Sequence, residues 1–145
     1  MRDDVRKLWA ATRVLRWEGS YWLASYSHDA LRALTAALPA SGGEFAAVVV
    51  ERDEVSLTAS DAMWRRLRDL VPARRVAGPF AVLTLSLELD LGICGYLAPA
   101  VARLGESGIA VVPQAAFLRD HILVHEADAD RAVALLESLV AESAP

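Results

Sequence analysis

Apolar residues along this chain change period in a recurring order. Residues 3–10 begin as a short helical turn. Residues 13–17 and 21–26 then read as strand-like runs around Glu18-Gly19-Ser20, rich in the aromatic and β-branched side chains that suit a pleated, half-buried surface. From His28 the period lengthens: Leu31, Leu34 and Leu38 recur at helical spacing, Asp29 lies near the start, and Pro39 with Ser41-Gly42-Gly43 ends the run, so the spacing predicts a helix over 28–38. Residues 45–50 are continuously apolar, Arg52-Asp53-Glu54 supplies a turn, and Val55-Ser56-Leu57-Thr58 alternates, which predicts a β-hairpin. Ser60-Asp61 can cap a helix carrying Met63, Trp64, Leu67, Leu70 and Val71, with Pro72 beyond its end.

The second half repeats that order. A strand is predicted from Phe80 to about Leu89, a helix from about Gly95 to Leu104 with Gly108 as its stop, and strands over 109–114 and 121–125. The last helix carries Asp128 and Asp130 in its first turn, where the helix dipole favours carboxylates, and buries Ala132, Leu135, Leu136 and Leu139. Strand-helix-strand-strand-helix is most of a split βαβ unit of the ferredoxin-like kind. The fold class expected is α+β: two ferredoxin-like (βαββαβ) units, each an antiparallel sheet with helices on one face, spanning residues 1–75 and 76–145. Residues 74–79 read as the join between them.

Two stretches resemble the ACT domain, in particular its amino-acid-sensing, CASTOR-type branch. Leu89-Asp90-Leu91-Gly92-Ile93-Cys94-Gly95-Tyr96-Leu97-Ala98 is similar to that branch's "Leu-Asp-Phe-Ser-Leu-Thr-Gly-Ile-Leu-Ala", and Asp120-His121-Ile122-Leu123-Val124 to its "Asp-Tyr-Ile-Leu-Val". The resemblance covers most of 76–140 and, more weakly, 12–72. It implies a loop and a facing strand that line an effector pocket where two ACT domains meet. Asp90, Gly92, Ile93, Cys94 and Gly95 match the loop, Pro113, Gln114 and Ala115 the strand, and Asp120 the acid of the turn. Ala115 and Ala116 stand where the branch often carries hydroxyls, and Arg119 where it carries a threonine. Each lost hydroxyl bond at a buried polar site removes about 1 kcal/mol, which leaves the ligand open.

Composition narrows the function classes. The 145 residues are 54% hydrophobic, ample for a core, and carry 15 basic and 19 acidic residues for a net charge of −4. The bases are spread along the chain, which disfavours nucleic-acid binding; the local group Arg65, Arg66, Arg68, Arg74 and Arg75 is broken by Asp69 and reads as a solvated helix face. One cysteine, no secretion-signal pattern after Met1 and no apolar run of about 20 residues lead to the expectation of a cytoplasmic protein without membrane association.

No nucleophile-base set, metal-ligand cluster or phosphate loop stands out, so neither catalytic residues, nor a metal, nor a cofactor is expected. His121 and His125 share a strand face without an evident third ligand. Cys94 reads as a small packed side chain. Trp9, Trp17, Trp22 and Trp64 read as core. The loop 90–95 is the strongest candidate site on the residues alone. Its glycines permit close backbone approach, and free amides at the start of the next helix can take a carboxylate, with Asp90 or Asp120 accepting from an ammonium. The function expected is a non-catalytic regulatory module that binds a small amino-acid-like effector, working as a homodimer upon a regulated enzyme or other protein partner. Two readings compete with it: a ligand-free interaction or dimerisation module, and a small enzyme with Asp120 and His121 as acid and base.

Overall fold

The computed structural model describes all 145 residues. The elements are α1 (Asp3–Ala11), β1 (Arg13–Arg16), β2 (Tyr21–Tyr26), α2 (Leu31–Ala36), β3 (Ala47–Val50), β4 (Val55–Ser60), α3 (Asp61–Leu67), β5 (Arg75–Ser86), α4 (Ala98–Glu106), β6 (Val111–Ala115), β7 (Asp120–His125) and α5 (Ala129–Ser143). Two compact units form: residues 17–80, and residues 1–16 together with 81–145.

The unit of residues 17–80 runs β2-α2-β3-β4-α3-β5, a complete βαββαβ, with strands in the order β3-β4-β2-β5. Its neighbours pair antiparallel, Val48 opposite Leu57 and Ala24 opposite both Leu57 and Val76. Strand alternation sends Ala24, Tyr26, Val55, Leu57 and Ala59 to one face, where Leu34 of α2 and Met63 and Leu67 of α3 complete a buried cluster. The Ser60 hydroxyl accepts the Met63 N–H at 3.2 Å and caps α3.

In the unit of residues 1–16 and 81–145, the C-terminal half of β5 is followed by α4, β6, β7 and α5. β1 takes the place of the sixth strand, pairing antiparallel with β5 from Arg13 opposite Ser86 to Arg16 opposite Leu83. Ala81, Leu83, Leu85, Ile122 and Val124 face a core filled by Val5 and Trp9 of α1, Ala100 and Leu104 of α4, and Ala132, Leu136 and Leu139 of α5. The spacing of that last set is the apolar stripe of an amphipathic helix.

The boundary differs from the expected 75/76 division. Residues 75–80 form the final strand of the first βαββαβ, where the sequence read a join. This stretch is exposed at residues 75–77 and half-buried at 78–80, and it carries Arg75 and Gly78-Pro79, which hide its strand character. Residues 1–16 in turn pack with the C-terminal half of the chain, because Trp9 is wholly buried in that core. α4 also starts three residues later than expected, at Ala98.

Candidate functional site

After β5 the chain travels through residues 87–97 before α4 begins. Asp90 shapes this loop: its Oδ1 accepts the Gly92 N–H at 2.7 Å and its carbonyl accepts the Ile93 N–H at 3.0 Å, the turn aspartate makes with its own backbone. Gly95 then turns the chain at φ 84°, a region that residues bearing a Cβ rarely adopt, and this delays the helix to Ala98. Pro99 in the first turn of α4 has no N–H, so that turn offers one amide fewer than the sequence suggested.

The facing wall is the β6–β7 turn. Ala116 N–H donates to the Arg119 carbonyl at 3.0 Å, and Leu89 N–H donates to the Leu118 carbonyl at 3.1 Å, tying the two loops together. Between them lies a cleft of about 250 Å³, lined by residues 89–91, 93, 95–98 and 116–120. This falls just below the usual span for small-molecule sites and suits a compact ligand.

Tyr96 is the one fully buried residue of the lining. Its ring stacks on Trp9 with centroids 5.2 Å apart, its carbonyl accepts the Trp9 indole N–H at 2.9 Å, and its hydroxyl lies 2.7 Å from Thr12 Oγ1. Burial, with the negative charge of Asp120 adding, pushes this phenol up to about 12, so it stays neutral at physiological pH. Leu91, Phe117 and Leu118 are exposed at the cleft, Phe117 by 74%.

Three charged side chains line the cleft: Asp90, Asp120 and Arg119. The Arg119 guanidinium pairs with Glu88 through one N–H at 2.8 Å, and four of its five donors remain for other acceptors. A guanidinium and two carboxylates around an apolar-walled cleft form a donor and acceptor set that matches a zwitterion.

Of the residues singled out in the sequence, Asp90, Ile93, Gly95 and Asp120 come together here. Gly92 lies outside the lining and serves as the amide donor to Asp90. Cys94 is exposed on a separate groove with Arg2 and Val5, where the Arg2 guanidinium donates to its carbonyl at 3.2 Å. Pro113, Gln114 and Ala115 also lie outside, because the turn that follows β6 supplies the wall instead of the strand. Sequence reasoning missed Tyr96, Phe117, Leu118 and Arg119 as lining residues. Only Arg119, a guanidinium beside the matched Asp120, carried a signal that could have found it.

The histidines do not form a pair. His121 is buried with Nδ1 2.8 Å from Thr84 Oγ1, while His125 is exposed and its Nδ1 accepts the Ala127 N–H at 3.2 Å. Burial lowers the His121 pKa, favouring the neutral ring. Asp120 lines the cleft and His121 turns to Thr84, so the two do not converge on one substrate position. Among the tryptophans only Trp9 is fully buried. Trp22 and Trp64 are half-buried with ring centroids 6.4 Å apart, and Trp17 meets Phe45 edge-on at 5.8 Å. In the arginine group, Arg65 pairs with Asp61 and Arg74 donates to the Asp53 carbonyl.

This is an α+β fold of antiparallel strands and helices, and as a fold it is similar to the regulatory subunit of aspartate kinase. No protein-family model matches the sequence, and no curated protein matches it. Among solved structures, the chain is similar to VC0802 of Vibrio cholerae, a protein of unknown function named as a possible transport protein, with a TM-score of 0.72 at 20% identity over 94% of this chain and 95% of that one. It is similar to Atu0741 of Agrobacterium tumefaciens (TM-score 0.65, 22% identity, 89% of each chain). It is also similar to the regulatory subunit of aspartate kinase from Thermus thermophilus in its ligand-free form (TM-score 0.60, 11% identity, 88% of this chain and 97% of that one).

Proposed function

We propose that this chain is a non-catalytic regulatory module that takes a small amino-acid-like effector in the cleft between residues 89–98 and 116–120. The observation that carries this reading is the placement of Arg119 and Asp120 side by side on one wall of a cleft sized for a compact ligand. The effector's carboxylate pairs with the Arg119 guanidinium or with the amides that open α4, and its ammonium is received by Asp120 or Asp90. Neutral Tyr96, anchored by Trp9 and Thr12, supplies a rigid apolar surface beneath it. The ACT-type fold and the similarity of the 89–98 loop to the CASTOR-type branch support the same reading. The exposed rim of Leu91, Phe117 and Leu118 suits closure by a second ACT domain from another chain.

The same rim favours the second reading, an interaction module whose cleft takes a partner's side chain instead of a free ligand. A thermal-shift screen of the purified chain against the twenty amino acids separates the two, with Arg119→Gln and Asp120→Asn as site variants. Ligand at a hundred times its dissociation constant stabilises by about 2.7 kcal/mol. The sensing reading expects one amino acid, or a few related ones, to raise the melting temperature, with the rise lost in both variants while their unliganded melting stays near that of the parent. No rise with any amino acid overturns it in favour of the interaction module.

A further inference from the structure

α1 is nine residues long, and a helix standing alone needs about 12 or more to be even marginally stable in water. Asp3 and Asp4 suit the dipole at its start, but Arg2 makes no side-chain cap and no basic residue stands in the last turn. The helix therefore holds its shape by docking, and Val5 and Trp9 are the residues it buries.

Three polar contacts tie this segment to one short stretch of the cleft wall. The Arg2 guanidinium donates to the Cys94 carbonyl at 3.2 Å, the Trp9 indole N–H donates to the Tyr96 carbonyl at 2.9 Å, and Thr12 Oγ1, just past the helix end, lies 2.7 Å from the Tyr96 hydroxyl. Trp9 and Tyr96 are 0% and 3% exposed, and each ring covers the other. Withdrawing α1 strips the Tyr96 carbonyl, hydroxyl and ring of these partners at once. A buried polar group left unpaired costs more than one returned to water, so Tyr96 cannot keep its place once α1 leaves. Gly95, Tyr96 and Leu97 line the cleft, and its wall depends on α1 for that reason.

We propose that α1 and residues 94–97 open and close as one element, so that α1 carries the state of the cleft outward. A compact ligand held against Gly95, Tyr96 and Leu97 binds the docked form, and it strengthens the docking of α1 by the same factor as docking strengthens its own affinity. In the opposite direction, release of α1 bares Val5 and Trp9 and dismantles the wall the ligand needs. The part played by the ligand rests on the effector reading above; the coupling of α1 to the loop stands without it.

Residue-resolved hydrogen exchange of the full chain tests the coupling from both sides. Gly95→Ala acts on the loop by backbone strain alone, since its Cβ meets nothing within 4 Å, and Thr12→Val removes a contact on the α1 side. Each should speed the amides of residues 7–11, the Trp9 indole N–H and the Ile93 amide together, by about fivefold, while β6, β7 and residues 17–80 keep the parent's rates. Helix amides that ignore Gly95→Ala, or a rise spread equally over β6 and β7, overturn the proposal. If Gly95→Ala does not fold, Thr12→Val decides by whether Ile93 follows α1. The ligand arm uses the twenty amino acids of the thermal-shift screen. One whose effect on melting is lost in Arg119→Gln should also slow the amides of residues 7–11 at least about tenfold at saturation, and unchanged exchange there overturns the outward role of α1. No response to any amino acid counts against the effector reading, and the two variants then decide the coupling.

Discussion

The Tyr96 hydroxyl donates to Thr12 Oγ1 at 2.7 Å, joining residues 84 apart in sequence. The direction follows from proton counting: Thr12 has a single hydroxyl hydrogen and gives it to the Leu8 carbonyl at 2.9 Å, so the phenol must be the donor. This bond and the Trp9 indole bond fasten the loop after β5 to α1.

Tyr96→Phe keeps the ring stack and the indole bond and removes only this donor. It should cost about 1 kcal/mol, or roughly 3 °C in melting temperature, as read by denaturant titration. Thr12→Val should cost a similar amount, and the double variant less than the sum, because both changes delete one bond.

Stability should fall in mild acid through His121. Its folded pKa lies below the ordinary value of about 6.5 because burial disfavours the imidazolium. The unfolded chain therefore binds the proton more readily. The stabilisation is complete above the unfolded pKa and is lost as pH falls through the folded one. Urea midpoints measured between pH 7.5 and 5 should decline for the parent and decline less for His121→Gln, which retains a hydrogen-bonding group for Thr84.

Two glycines should respond differently to alanine. At Gly95 a Cβ meets nothing within 4 Å, so the cost is that of a side chain held at φ 84°, about 1 kcal/mol. At Gly78, φ is 138° and a Cβ would lie 2.9 Å from the Trp22 ring and 3.0 Å from the Tyr21 carbonyl oxygen. A backbone oxygen within a sheet has little room to yield, so Gly78→Ala should cost on the order of 3 kcal/mol or more. Parallel melts of the two variants test the ranking, and equal losses would contradict it.

Ser60→Ala removes the cap of α3 and the hydroxyl bonded to Glu44. A loss of about 1–2 kcal/mol is expected, with most of it restored by Ser60→Thr, which keeps the capping oxygen.

The parts of the fold legible in the sequence were those whose period stood out. The β3–β4 hairpin, α3 behind its serine cap and the apolar stripe of α5 are local patterns, and each element lies within a few residues of where its pattern put it. What stayed hidden depended on distant partners. Residues 75–80 open on Arg75 and are broken by Gly78 and Pro79, and only pairing with β2 makes them a strand. The affiliation of α1 rests on Trp9 finding Tyr96, which no local pattern records. At the cleft, Asp90, Ile93, Gly95 and Asp120 were legible in advance, and two of them, Asp90 and Gly95, are residues the loop's backbone demands. Phe117, Leu118 and Arg119 sit in a turn that is tied to the opposite loop by the Leu89 N–H bond to the Leu118 carbonyl, a contact no local pattern records.

The discontinuity of the second unit bears on the order in which the protein can be assembled during synthesis. Residues 17–80 form one uninterrupted segment and possess all six elements of their unit once Phe80 has left the ribosome. α1 is made before that segment, yet its Trp9 has no ring to stack on until Tyr96 is added, and β1 has no strand to join until residues 83–86 appear. Residues 1–16 are therefore among the last of this chain's residues to be buried. During that interval an apolar helix face is open to whatever the emerging chain encounters.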